Sequence, residues 1–189
     1  MSQTAPHIRW TTADLEVLAH DEWKRYEIVD GELFVTRAPH YGHQSAIGRI
    51  YARLLAWSEL SQLGEPVINP GIIFTDTDNV IPDVVWGTYD RLAVLTDESG
   101  HLRGAPELVV EVLSEGSNNE RRDREAKLKL YSLQGVQEYW IVNWRLQQIE
   151  VHRRQNTRLQ QIATLLADND ITSPLLPDFS CQVKTFFNP

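Results

Sequence analysis

Hydrophobic and polar positions change period several times along this chain of 189 residues. Tyr26-Glu27-Ile28-Val29 and Glu32-Leu33-Phe34-Val35 flank Asp30-Gly31. Asp-Gly supplies the positive φ angles of a tight two-residue turn, so a β-hairpin is expected there. Ahead of it, Thr11 or Thr12 can N-cap a short helix reaching Ala19. Across residues 43–63 the period becomes helical. Ile47, Ile50, Tyr51, Leu54 and Leu55 fall on one stripe, and Gly64 can close the helix. Three strands are expected next. They cover residues 67–74, interrupted by Pro70-Gly71, then 80–86 after a turn at Asp76-Thr77-Asp78-Asn79, then 108–113. Residues 120–133 read as a helix with Gly135 just past its end. Residues 139–142 read as a short buried strand, and 148–153 with 159–165 as a peripheral hairpin. The tail, with Pro174 and Pro177, reads as loop plus a short strand near 179–183.

The core order is therefore helix, strand, strand, strand, helix, strand. A meander between two helices, followed by a strand reached through a helical crossover, predicts a mixed central sheet in an α/β or α+β domain. An N-terminal hairpin and a C-terminal peripheral hairpin flank it. The longest irregular stretch is 88–105, and there is no repeat, low-complexity tract or linker, so residues 1–189 are expected to form a single domain with its core at about 43–142.

Composition narrows the class. Apolar residues make up 42% and charged residues 23%, which suits a folded soluble chain. No apolar run approaches the ~20 residues that span a bilayer, and residues 1–6 lack the basic and apolar regions of a secretory signal. The single cysteine, Cys181, forms no internal disulfide and no thiolate zinc site. A cytoplasmic home is the expectation. The net charge of −8 argues against non-specific coating of nucleic acid. Residues 121–158, however, hold nine Lys/Arg against four acids, a local +5 that leaves −13 for the rest. Such a segment is either a solvated helix face with a charged edge strand or a surface for a polyanion.

Two expected strands carry an acid at an apolar position. Asp83 interrupts Ile81-Pro82-Asp83-Val84-Val85-Trp86, and Glu111 interrupts Leu108-Val109-Val110-Glu111-Val112-Leu113. An ionised carboxylate inside a strand buried on both faces costs several kcal/mol, order of magnitude, unless it is paired or metal-bound. Acids on successive strands can converge, and clustered carboxylate oxygens suit a hard divalent cation such as Mg²⁺. Each acid alone is as readily a strand end in water or an arginine partner. Pro82 cannot donate to a sheet ladder, so it marks an irregular strand start that can turn Asp83 into a cleft.

Pro82-Asp83 followed by Glu111-Val112-Leu113 resembles the PD-(D/E)XK nuclease superfamily. The finer resemblance is to the Uma-two family of restriction-endonuclease-like proteins. It is carried by residues 26–33, His43-Gln44, Pro82-Asp83-Val84-Val85 and Ala105 through Ser114. It continues through Asp123, Lys127-Leu128 and Tyr131, and then Gly135-Val136 and Glu138-Tyr139-Trp140-Ile141-Val142.

The resemblance implies the core order read above and Mg²⁺-dependent hydrolysis of phosphodiester bonds in DNA, with Mn²⁺ as a substitute. It makes Asp83 and Glu111 metal ligands, the backbone carbonyl of Val112 a third, and Glu32 an extra ligand or supporting acid. Leu113 stands where the superfamily lysine usually sits, and the resemblance assigns that role to Lys127 on the following helix. Glu115 stands in place of a usual proline and Asn143 in place of a usual aspartate. Lys127 is one of only four lysines beside 14 arginines; it can equally serve as an i, i+4 partner of Asp123. His40 and His43 have the spacing of a helical metal pair, but contacts at a helix start are the simpler expectation, with His43 near the cleft. On the nuclease reading, Arg121, Arg122 and Arg124 face the DNA backbone, and cutting both strands of a duplex with one site per chain implies a two-fold homodimer. The alternative is a catalytically inactive nuclease-like fold that binds DNA or a protein. Net charge and the displaced lysine favour it, while the intact acid pair favours the enzyme.

Overall fold

The protein is described here by a computed structural model covering residues 8–18, 24–37 and 39–187. Helix α1 (Thr12–Val17) is followed by the hairpin strands β1 (Lys24–Val29) and β2 (Glu32–Arg37). Asp30 at φ 51° and Gly31 at φ 76° make the turn, as Asp-Gly chemistry requires. The expected extension of α1 to Ala19 lies partly outside the described residues; α1 itself ends at Val17. The long helix α2 (Tyr41–Ser61) buries Ala46, Ile47, Ile50 and Leu54, and Gln62 in the left-handed region closes it two residues before Gly64.

Two of the expected strands are each divided between two sheets. The run 67–74 splits at Pro70-Gly71 into β3 (Gly64–Ile68) and β4 (Ile72–Thr75). The run 80–86 splits at Ile81-Pro82-Asp83 into β5 (Asp78–Val80) and β6 (Val84–Thr88). A proline ends each first half because it cannot donate to the ladder. The irregular stretch 88–105 contains a short helix, α3 (Tyr89–Leu95), capped by Thr88. After β7 (Leu108–Val112) comes a three-part helix: α4 (Ser117–Arg121), a π turn (Arg122–Lys127) and α5 (Leu128–Gln134), ended by Gly135 at φ 93°. Then follow β8 (Glu138–Asn143), the hairpin β9 (Gln148–Gln155) and β10 (Arg158–Leu166), and a further hairpin of β11 (Asp170–Ser173) and β12 (Leu176–Gln182) where one tail strand was expected.

The main sheet has the order β10-β9-β8-β7-β6-β3, with only β7 and β8 parallel. That is the crossover through the second helix. A smaller sheet, β2-β1-β5-β4, stands over it. Every residue of β7 and β8 is buried, because both faces of the sheet are covered. On one face α2 packs with Val84, Trp86, Val110, Trp140 and Val142. On the other, Val85, Val109, Tyr139 and Ile141 meet Leu130 and Tyr131 of α5 and Val29, Ile72 and Val80 of the small sheet. Among the described residues no helix is long and apolar enough to cross a membrane.

Candidate active site

The β6–β7 register pairs Val84 with Val110. Continued by one residue, it sets Asp83 opposite Glu111 on the same face. The break at Pro82 ends the ladder there, and the Asp83 side chain takes over its last bond: Oδ2 accepts the Val112 N–H at 2.8 Å. Both acids are nearly sealed from solvent, Asp83 at 3% and Glu111 at 2% exposure. They line a pocket of about 610 Å³ that also contains Glu27, His43, Arg122 and Lys127.

Lys127 reaches this point from the helix. Its Nζ lies 2.8 Å from Glu111 Oε1, 2.7 Å from Glu27 Oε1 and 3.9 Å from Asp123 Oδ1. The π turn arranges this. Residues five apart on an α-helix point about 140° away from each other, and the wider turn brings Arg122 and Lys127 to one side. Arg122, Asp123 and Lys127 are accordingly all buried. Tyr139 Oη donates to the Asp123 carbonyl at 3.0 Å, tying the turn to the sheet. Tyr131 Oη donates to Glu111 Oε1 at 2.8 Å.

Glu27 is a site residue that the sequence expectations do not include, although it interrupts an apolar strand just as Asp83 and Glu111 do. It accepts the Ile81 N–H at 2.8 Å as well as Lys127, so it joins the strand break to the helix. Glu32, the expected extra acid, is exposed at the turn end of the hairpin and does not line this pocket. It lines a neighbouring concavity of about 920 Å³ with Arg121 and Lys129, which holds none of Glu27, Asp83, Glu111 and Asp123. His43 Nε2 stands 3.5 Å from Asp83 Oδ2, whereas His40 caps α2 by accepting the Gly42 N–H and stacks on Trp144. The two histidines therefore share no site. Arg25 holds Asp83 from the other side, Nη1 to Oδ1 at 3.2 Å, and is itself anchored on Asn69 Oδ1 at 2.9 Å.

The basic segment is the main correction. Arg122, expected to face DNA, is 6% exposed and bonds Asp123 Oδ1 at 2.8 Å, with Glu27 Oε2 at 3.6 Å. Arg124 pairs with Glu120 and Glu150, and Arg121 with Glu125. The charge counted along the sequence is answered in space by acids.

The electrostatics are those of too many carboxylates in too little water. Burial pushes Glu111 up to about 8, helped by Asp83, Asp123 and Glu27 and opposed by Lys127. Burial also raises Asp123, outweighing Lys127 and Arg122. For Glu27 burial acts upward too, but Lys127 and Arg122 hold its carboxyl below the usual range. Asp83 is likewise held low against its burial, by the hydrogen bond and charge of His43, then by Arg25. Burial works against the Lys127 ammonium, and Glu111 and Glu27 overcome it, so the lysine stays charged. Burial thus favours the protonated form of Glu111, and in the same sense that of Asp123, when no further cation is present.

Two facing carboxylates in a pocket suit a hard cation. Both hydrogen bonds to the Glu111 side chain fall on Oε1, so Oε2 is the oxygen without one among the described residues. Among those residues no group of three or more His, Cys, Asp or Glu is disposed to hold a metal ion. Mg²⁺ does not require one. It keeps several waters and is commonly held by one or two carboxylates plus substrate phosphates. The residues present fit Mg²⁺ on those terms.

Residues 12–184 match the model of the family Uma2, described as "Putative restriction endonuclease". No relative was found among curated proteins. A solved structure described as "Crystal structure of a putative nuclease belonging to DUF820 from Anabaena variabilis ATCC 29413" superposes with a TM-score of 0.74. The sequences are 17% identical, and the match covers 94% of this chain and 97% of that one. Likeness at that identity speaks for the fold alone: a mixed α+β, restriction-endonuclease-like architecture.

Proposed function

The chain belongs to the Uma2 family, and from that premise we propose that it is an endonuclease that hydrolyses phosphodiester bonds in DNA, with Mg²⁺ as cofactor and Mn²⁺ as substitute. The observation that carries this reading is the meeting of three buried side chains, Asp83, Glu111 and Lys127, in one pocket, from the break before β6, from β7 and from the helix. Asp83 and Glu111 would hold the cation, with the Val112 carbonyl beside them. When bound, the cation acidifies a water and neutralises charge on the scissile phosphate. The chain's own groups do the rest. Arg25 and His43 fix the orientation of Asp83. Tyr131 and Lys127 fix one oxygen of Glu111 and leave the other for the pocket. Lys127 is a compact point charge that can hold the attacking water or a phosphate oxygen. A cytoplasmic enzyme that pairs as a two-fold dimer to cut both strands is part of the same proposal.

The test is incubation of supercoiled plasmid with Mg²⁺ or Mn²⁺, with EDTA as control. Nicked or linear product is expected with metal and none in EDTA, nor with Asp83→Asn or Glu111→Gln. Cleavage that survives in both variants would remove the assignment.

One observation favours a second reading, a nuclease-like fold that binds DNA or a protein without cutting. Lys127 already places a cation in direct contact with Glu111 and Glu27. Calorimetric titration with Mg²⁺ or Mn²⁺ separates the two: saturable binding abolished by Asp83→Asn supports the enzyme, and no binding supports the module.

A further inference from the structure

We infer that Glu27 is a positioning residue for the proposed cleavage: its carboxylate holds the Lys127 ammonium beside Glu111 and takes no part in binding the cation. The inference rests on the nuclease reading and deepens it.

Three observations lead there. First, both oxygens of Glu27 are committed within the protein. Oε1 accepts the Ile81 N–H at 2.8 Å and lies 2.7 Å from Lys127 Nζ, and Oε2 faces Arg122 Nη1 at 3.6 Å. Second, Glu27 stands where three parts of the fold meet. It pairs with Phe34 in the hairpin, and its neighbour Ile28 pairs with Asn79 of β5, so its backbone is fixed in the small sheet. Ile81 lies in the break between β5 and β6, two residues before Asp83, and Lys127 comes from the helix. One oxygen atom of Glu27 therefore sets the helix lysine against the segment that delivers Asp83. Third, the other acids near Lys127 are engaged elsewhere. Asp123 Oδ1 is 3.9 Å from Nζ, and Asp123 accepts from Arg122 at both oxygens, at 2.8 and 3.2 Å. Glu111 is assigned to the cation, whose charge repels an ammonium that shares the same carboxylate. Glu27 is the counter-charge that stays with the lysine.

A lysine head on its flexible stem has no fixed position of its own. Contacts at 2.7 Å to Glu27 and 2.8 Å to Glu111 give it one, in a place where both acids and the lysine are buried. A buried ion pair is weak evidence for stability, since apolar residues of the same volume often serve as well. What the Glu27 carboxylate adds is the place of the ammonium.

The test uses the full chain. Cleavage of supercoiled plasmid is read with Mg²⁺, and Mg²⁺ affinity by calorimetry. Access to the Lys127 amine in EDTA is read by acetic anhydride labelling and peptide mass spectrometry, with the exposed Lys129 as reference. Glu27→Gln keeps the shape and an oxygen for Ile81 but removes the charge. It should lower kcat by about tenfold to a hundredfold, the cost of misplacing a reacting group by about 1 Å, and leave KM within about twofold. Mg²⁺ affinity should stay close to the parent's, and Lys127 labelling should rise severalfold relative to Lys129. In a Lys127→Ala background Glu27→Gln should lower kcat no further, because one residue acts through the other. Circular dichroism checks folding. Glu27→Asp, which keeps the charge but draws it back from the ammonium, serves if Glu27→Gln fails to fold, with the same loss in kcat expected. An unchanged kcat, unchanged labelling of Lys127, or a further loss on top of Lys127→Ala would overturn the inference and leave a cleaving parent as a nuclease. A loss of Mg²⁺ affinity as large as that in Asp83→Asn would make Glu27 a ligand and overturn it as well. A parent that binds no Mg²⁺ and cleaves no DNA would overturn the nuclease reading and this inference together.

Discussion

Lys127 Nζ lies 2.8 Å from Glu111 Oε1, although the two residues are 16 apart and sit on a helix and a strand. Lys127, which the resemblance offers in place of the lysine that Leu113 displaces, thus reaches Glu111 from the helix. Leu113 meanwhile is fully buried and joins the core. The pocket therefore holds an ammonium while the strand position after Val112 stays apolar.

Lys127→Ala leaves Glu27, Glu111 and Asp123 buried together without their shared cation. Breaking a buried ion pair from one side costs about 3–5 kcal/mol. The variant should melt well below the parent in EDTA, and Mg²⁺ should restore more of its stability than it adds to the parent. Cleavage should fall strongly, metal affinity should not fall, and Lys127→Arg should rescue poorly because a planar guanidinium is not a point charge. Lys129→Ala is the control. Its partner Asp30 is 3.7 Å away and both are exposed, so it should change little. Equal loss of cleavage in the two alanine variants would reduce Lys127 to a source of general positive charge.

Arg122 and Arg121 are neighbours with opposite fates. Arg122→Ala removes a buried guanidinium from Asp123 and Glu27 and should cost about 3–5 kcal/mol in a denaturant titration. Arg121→Ala removes an exposed i, i+4 partner of Glu125 and should cost no more than a few tenths. Similar midpoints for the two would contradict the inward turn of Arg122.

Much of this was legible in the sequence, and the misses share a cause. The Asp30-Gly31 turn, the stripe on α2 and the acids Asp83 and Glu111 were readable because each is a local pattern with one physical solution. Arg122 was misplaced because α-helical periodicity sends it outward, and nothing in the local sequence announces a π turn. Glu32 enters only through the resemblance, and it is exposed beside the Asp30-Gly31 turn. The rule that singled out Asp83, an acid in an apolar strand, would have chosen Glu27. The division of residues 67–74 and 80–86 between two sheets was written in Pro70 and Pro82, but the partner of each half is a tertiary fact. The charge count over 121–158 was correct as arithmetic and misleading as electrostatics, because the answering acids Glu27, Glu115 and Glu120 lie outside that window.

Gly42 sits one residue before His43, and a Cβ there would fall on the Trp144 ring. Trp144 is held by its stack on His40 and by Nε1 donating to the Leu113 carbonyl at 3.2 Å, so it cannot easily yield. Gly42→Ala should therefore shift the start of α2 and cost about 1–3 kcal/mol, the usual range for overpacking. Because His43 rides on that turn and faces Asp83, cleavage should fall more than stability alone explains at a temperature where the variant is fully folded. Gly48→Ala, where a Cβ meets open space, should be neutral or slightly stabilising. A loss in Gly48→Ala as large as in Gly42→Ala would rule out the ring contact as the cause.

The last prediction concerns pH. Burial and the surrounding acids raise Glu111 to about 8 in the metal-free protein. A carboxyl raised on folding binds more protons in the native state than in the unfolded one between its two values. Stability then falls with rising pH across that window. Asp123 is raised as well and acts in the same sense. Glu27 and Asp83 are held low, so their contribution is complete above the ordinary carboxylate range and is lost only in acid. In EDTA the melting temperature should therefore decline between about pH 5 and about pH 8. Glu111→Gln keeps the shape and removes the titrating proton, so its profile should be flatter and its melting temperature at pH 8 at least that of the parent. Adding Mg²⁺ at pH 7 should release close to one proton from the parent, read as buffer-dependent heat in calorimetry, and none from Glu111→Gln. A parent profile without the decline, or metal binding with no proton release at pH 7, would mean that Glu111 is ionised before any cation arrives. Its role as the acid that yields a proton to the metal would then be withdrawn.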